Sequence, residues 1–248
     1  MDEYCSYLKS DIYKLWHSWF FVIHLFFPVF GAALMLLYSN FSSGNELNKL
    51  AAFIQIIAMA FPFMISVVCQ IVAEQELQAG YFQNMLTLPG RRKAIFSKLA
   101  ILLLSGLLSA ALGIVLFGVL FSYIIGTELP VGFFIFIPIV LWASNIMIYG
   151  LHLILAFRFG RNLGISIGVI GSLLSALLQT GIGTGRWFVI PYGLGIRFAE
   201  SALAYLFNLM PAPIREIQIG IIFCTAVTCG IIGIVAFWFS RYGGTSSD

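Results

Sequence analysis

The chain has 248 residues, 60% of them hydrophobic and only 9% charged, with a formal net charge of +3. A soluble domain carries about 25% charged residues, so this composition excludes an ordinary water-soluble enzyme or nucleic-acid binder and makes lipid the solvent. The small net charge decides little, because in a membrane protein the placement of lysine and arginine matters more than their sum.

Residues 1–14 are polar, with Tyr4, Tyr7, Leu8 and Ile12 at helical spacing opposite Asp2, Lys9 and Asp11. That pattern predicts a helix lying in the plane of the membrane interface. The apolar run that follows is too long for the core of a signal peptide and lacks a basic leader, so it reads as a retained span. Span one covers 15–38, with Trp16 and Trp19 at its start and Pro28 as a kink. A turn-rich polar loop at 39–49 leads to span two, 50–73, with Pro62 near its middle.

From Glu74 to Lys98 the chain reads EQELQAGYFQNMLTLPGRRKAIFSK, its one concentrated polar passage. Glu74 to Thr87 has helical character, and Leu88-Pro89-Gly90 stops it because proline cannot continue the ladder. A solvent-facing helix with exposed Leu77, Tyr81, Phe82 and Met85 calls for another protein to cover it. Glu74 and Glu76 either pair with Arg91 or Arg92 or face water.

Span three, 94–125, exceeds a core of about 30 Å at 1.5 Å per residue unless it tilts or projects into water. Span four covers 131–157, a tight basic turn follows at Arg158–Asn162, and span five covers 163–179. Gly160, Gly164 and Gly168 form two overlapping small-xxx-small steps, which predicts close packing of another helix. Residues 180–214 are apolar but broken by Pro191, Gly193, Gly195, Arg197, Glu200 and Pro211. They read as a re-entrant or membrane-flat helical hairpin, since irregular backbone at membrane depth needs protein cover. Span six covers 217–239.

Six spans leave both termini on one side. With the N-terminus inside, the inner segments hold nine basic residues (Lys9, Lys14, Arg91, Arg92, Lys93, Lys98, Arg158, Arg161 and Arg241) and the outer ones four (Lys49, Arg186, Arg197 and Arg215). This asymmetry predicts an N-in, C-in, all-α integral membrane protein with 74–90 cytoplasmic and 180–214 extracellular.

The ordered set Glu74, Glu76, Gly80, Leu86, Thr87, Pro89, then Arg91 or Arg92 and Lys98, resembles the E-x-E-x-x-x-G, L-T-x-P, R, K passage of ABC exporter permeases of the type-2 class. The topology resembles that family over nearly the whole chain, and FQNMLTLPGRRK with the short length looks closest to permeases of lantibiotic-immunity transporters from Gram-positive bacteria. The resemblance implies that 74–90 is a coupling helix docking on an ABC ATPase, with Glu74, Glu76, Gly80, Gln83, Asn84, Leu86, Thr87, Pro89, Arg91 and Arg92 as coupling residues. It also implies two ATPase copies holding ATP and Mg, a second permease (sister or self), an amphipathic antimicrobial peptide as substrate, and a place in the cell membrane. The alternative from the residues alone is a membrane scaffold or channel-like protein without ATP coupling.

No G-x-x-x-x-G-K-[ST] occurs, so ATP hydrolysis of the P-loop kind must come from a partner. His17, His24 and His152 are too scattered for a metal cluster, and no HExxH or adjacent carboxylate pair with a partner histidine appears. No catalytic residue, metal ligand or cofactor is expected in this chain. The cysteines (Cys5, Cys69, Cys224, Cys229) read as small hydrophobes. Asn145, Tyr149 and His152 share one face of span four, where they either line a substrate path, bond across a permease interface, or act as interhelical glue.

Overall fold

The computed structural model describes residues 2–87, 90–209 and 212–244. In chain order the helices are α1 (Asp2–Trp16), α2 (Phe20–Phe41), α3 (Glu46–Gln78), α4 (Gln83–Leu86), α5 (Arg91–Ile125), α6 (Val131–Ser144), α7 (Ile146–Gln179), α8 (Pro191–Leu206) and α9 (Ile214–Arg241). Five of them (α2, α3, α5, α7 and α9) are long and apolar enough to cross a membrane, and α6 is a shorter apolar helix. Among the described residues there is no strand, so the chain is an all-α, multi-pass membrane protein.

Two expected boundaries move. The first apolar stretch does not begin at Leu15, which is buried at the end of α1. Ser18 separates α1 from α2 by donating its hydroxyl to the Leu15 carbonyl at 2.8 Å and accepting the Phe20 N–H at 3.2 Å. A serine that bonds local backbone in this way competes with a continuous helix. The stretch 131–157 is likewise not one helix. It breaks at Asn145 (φ −106°, ψ 2°), whose side-chain amide turns back to the Leu141 carbonyl at 2.8 Å.

Helix α3 is the centre of the bundle. Asn45 caps it by accepting the Asn48 N–H at 2.9 Å, and Pro62 interrupts its ladder. The Phe63 N–H donates instead to Ser172 Oγ at 3.1 Å. Helix α7 folds back on itself at Gly160, which has φ 75° and ψ −168°, a backbone state open to glycine. Before that point Cys69 Sγ approaches the Tyr149 carbonyl at 3.7 Å and Phe82 meets Phe157 at 5.2 Å, so 146–159 runs along α3 in the same direction. After it, Gly164 faces Gln70, Gly168 faces Ser66 and Ser172 bonds Phe63, so 161–179 runs the opposite way. The expected close glycine packing occurs at Gly164 and Gly168, while Gly160 makes the reversal.

Past Gln179 the chain dips into the bundle through two short 3-10 turns and returns as α8. Tyr192, at the start of α8, lies against Gly171, and its carbonyl accepts the Ser175 hydroxyl at 2.5 Å. Leu206, at the other end, meets Gly132 at the start of α6. Arg197 and Glu200 are fastened inside. Arg197 donates to the carbonyls of Leu178 (2.8 Å) and Thr180 (3.1 Å), and Glu200 accepts from Gln55 (2.6 Å) and Gln179.

Candidate functional site

The polar passage after α3 does not form one solvent-facing helix. Helix α3 continues through Glu74 and Glu76 to Gln78, and the chain then turns through three consecutive left-handed residues: Gly80 (φ 125°), Tyr81 (φ 51°) and Phe82 (φ 66°). Only then does α4 add a single turn. The left-handed state costs a non-glycine residue roughly 1–2 kcal/mol, so packing must hold Tyr81 and Phe82 there. Phe82 is 3% exposed, with its ring 5.2 Å from Phe157 and 5.9 Å from Tyr242. The Asn84 amide ties the turn together by donating to the Ala79 carbonyl at 2.6 Å.

This corrects the expected exposed apolar face. Phe82 is buried against Phe157 and Tyr242, Met85 is also buried, Leu77 is half-buried, and Tyr81 alone of the four stands out in solvent. The exposed edge of the turn is polar, made of Gln83, Asn84, Thr87, Arg91 and Arg92. Arg91 Nε donates to the Leu86 carbonyl at 2.7 Å. Pro89, with Leu88, lies outside the described residues.

Beneath the turn is a buried charge network. Lys98, 2% exposed on α5, donates to Glu76 Oε1 of α3 and to Asp11 Oδ1 of α1, both at 2.8 Å. Lys14 reaches the same Glu76 oxygen at 2.9 Å, and Ser97 donates to Asp11 Oδ2 at 2.7 Å. Two carboxylates and two ammonium groups balance, as burial requires. Tyr4 adds a bond from its hydroxyl to the Phe96 carbonyl at 3.3 Å. Burial, aided by the nearby Asp11 charge, pushes that phenol above its ordinary pKa and keeps it a donor.

The two expected alternatives for Glu74 and Glu76, pairing with Arg91 or Arg92 or facing water, both give way to other ion pairs. Glu76 takes Lys98 and Lys14, and Glu74 sits 3.7 Å from Arg161 at the tip of the α7 hairpin. The reason is the turn itself, which carries Arg91 and Arg92 outward and leaves the last turn of α3 facing α1 and α5. Asp11 and Lys14 were not singled out from the sequence. The available signal was Lys98, a cation set inside an apolar run, which demands a buried partner from somewhere in the chain.

Helices α3 and α5, the glycine turn, the first arm of α7 and α1 from residue 7 onward fall inside residues 7–175, which match the sequence model of a family described as ABC-2 family transporter protein. The chain belongs to that family. No curated protein and no solved structure matches it. As an ABC-2 transporter chain it is a component of a membrane transport system, and the family implies partnership with an ATPase subunit. The match takes in the charge network and the left-handed turn, and ends before α8 and α9.

In this ABC-2 chain Asn145, Tyr149 and His152 are each buried to 1% exposure or less. Asn145 packs on Gly195 of α8, and the Tyr149 hydroxyl sits where a Cβ on Gly106 of α5 would lie. His152 Nε2 is 3.1 Å from the Tyr192 hydroxyl. Tyr149 and His152 make these contacts between helices, and Asn145 does so at Gly195 while bonding the Leu141 carbonyl of the helix it ends. Among the described residues no group of three or more His, Cys, Asp or Glu is placed to hold a metal ion.

Proposed function

We propose that this chain is the permease subunit of an ATP-driven exporter and that the left-handed turn at 80–87 is where the ATPase subunit engages it. The observation that carries this reading is the join between an exposed polar edge and a buried ionic joint. Any push on Gln83, Asn84, Thr87, Arg91 or Arg92 reaches the last turn of α3, where Glu76 is fixed to α1 and α5 through Lys14 and Lys98. Rigid elements meeting at such a joint move together. Gly80 and Leu86 shape the turn, and Glu74 holds it to the α7 hairpin.

The finer topology follows the same reading: six crossings, N-in and C-in, with α6 and the first arm of α7 forming the fourth and the second arm the fifth. The turn is cytoplasmic, and 180–214 is a re-entrant segment from the outer face. Two ATPase copies bind ATP and Mg, and a second permease, sister or self, completes the pathway. The substrate, by likeness to lantibiotic-immunity permeases, is an amphipathic antimicrobial peptide expelled from the membrane of a Gram-positive cell.

Co-expression of the tagged chain with its neighbouring genes tests the proposal. An ATPase copurifies with the native chain and is lost from Arg91→Glu/Arg92→Glu, which still inserts in the membrane. Retention of the ATPase by that variant, together with unchanged peptide resistance, sinks the docking role; the absence of any ATPase favours a scaffold or channel-like protein.

A further inference from the structure

Helix α9 is fastened at both ends, and between them one side of it faces a groove while Cys224 and Ile231 pack towards Ser144 and Gly150. Near its start the Trp187 indole N–H donates to Glu216 Oε2 at 2.8 Å, and Gly220 lets the Trp187 and Phe198 rings lie against the backbone. Near its end Val235 and Phe239 are fully buried. Between these clamps α6, α8 and α9 enclose a groove of about 800 Å³, within the range of about 300–1,000 Å³ that small-molecule sites occupy. No Asp, Glu, Lys or Arg lines it. Of its hydroxyls, Ser144 bonds Val140, Ser201 bonds Arg197 and Thr225 bonds Ile221 through backbone carbonyls, while Thr228 Oγ1 is buried without a hydrogen-bond partner.

We propose that this groove holds an acyl chain of an anionic phospholipid. The clamps keep α9 from closing the gap, and the wall is apolar apart from Gln218, Thr228 and Tyr205 and the hydroxyls bonded to backbone, so hydrocarbon is the filler at hand for most of its length. Along α9 the lining runs from Ile214 to Cys229, about 22 Å at 1.5 Å per residue. That length takes in one leaflet's share, about 15 Å, of the bilayer core. At the Ile214 end stand the exposed Tyr205 and Arg215. An aromatic and a cation at that level suit the interface and an anionic headgroup. The inference uses only that α9 crosses the bilayer, and it stands or falls apart from ATPase coupling.

The test is photolabelling of the full chain in nanodiscs that contain phosphatidylglycerol or phosphatidylcholine with a diazirine in the acyl chain. Phosphatidylglycerol labels Ser201, Ile221 and Thr225 about tenfold more than the equally apolar surface at Leu25 and Phe26 of α2. Ala202→Trp, or Thr225→Phe should the first variant fail to fold, removes the groove label and leaves the α2 label. Arg215→Glu removes the preference for phosphatidylglycerol. Equal labelling of groove and α2 overturns the site, and equal labelling by the two lipids overturns the anionic assignment. Crosslinking of Cys229 to a second copy in place of lipid shows a protein occupant and also overturns it.

Discussion

Lys98 lies 2.8 Å from both Glu76 and Asp11, so one ammonium group on α5 joins the last turn of α3 to the N-terminal helix. Removing it leaves Asp11 with the Ser97 hydroxyl but no cation and Glu76 with Lys14 alone. Breaking one partner out of a buried ionic set costs about 3–5 kcal/mol. Lys98→Met is therefore expected to lower the unfolding midpoint in detergent far more than Lys14→Met, since Lys14 is one-third exposed. The pair Lys98→Met/Glu76→Leu should recover part of the loss. Equal effects of the two lysine substitutions would show that the network is not buried.

Phe82 is held in the left-handed region by the rings around it. Phe82→Ala loses that packing and should cost about 3–5 kcal/mol, read as lower thermal stability and faster proteolysis within 79–87. Phe82→Gly relieves backbone strain while removing the ring, so it should unfold no sooner than the alanine variant. A glycine variant clearly less stable than alanine counts against strain at this residue.

A Cβ on Gly168 would lie 2.1 Å from Ser66 Oγ and 2.3 Å from Ser66 Cβ, with the next contact, the Pro62 carbonyl, at an ordinary 3.5 Å. Gly168→Ala should destabilise by about 1–3 kcal/mol through overpacking. Gly168→Ala/Ser66→Gly should restore the midpoint, because the second change deletes the clashing atoms. Additive losses in the double variant would place the two helices farther apart than described.

Gln83, Asn84, Thr87, Arg91 and Arg92 form an exposed edge, whereas the joint beneath it is buried. Substitutions at Gln83 and Thr87 should shift thermal stability by less than about 0.5 kcal/mol, yet reduce peptide-stimulated ATP hydrolysis in the assembled complex. Gly80→Val, at φ 125°, should impair both properties. ATP hydrolysis unaffected by the edge substitutions would separate this surface from coupling.

The all-helical, multi-pass character was legible from composition because apolar runs broken by polar turns leave few alternatives in lipid. The glycine steps told of close packing, and Gly164 and Gly168 do meet α3. What stayed hidden depended on tertiary geometry. Nothing local says that Phe82 turns inward, because the same residue facing outward gives the same amphipathic pattern. Asp11 and Glu76 are far apart in sequence, and their shared lysine is seen only when α1 lies across the feet of α3 and α5. Ser18 and Asn145 were read as span residues because their helix-ending bonds are local hydrogen bonds that hydropathy does not register.

The fold-back at Gly160 has a bearing on how the molecule is assembled. Both halves of the hairpin rest on α3, which leaves the ribosome long before either, so the earlier helix is the template on which the later pair closes. A chain halted after Asn162 would keep the first half and leave the Ser66 side of α3 bare. A cysteine placed at Ser66 should then react with a thiol reagent that cannot reach it once the remaining chain has been made.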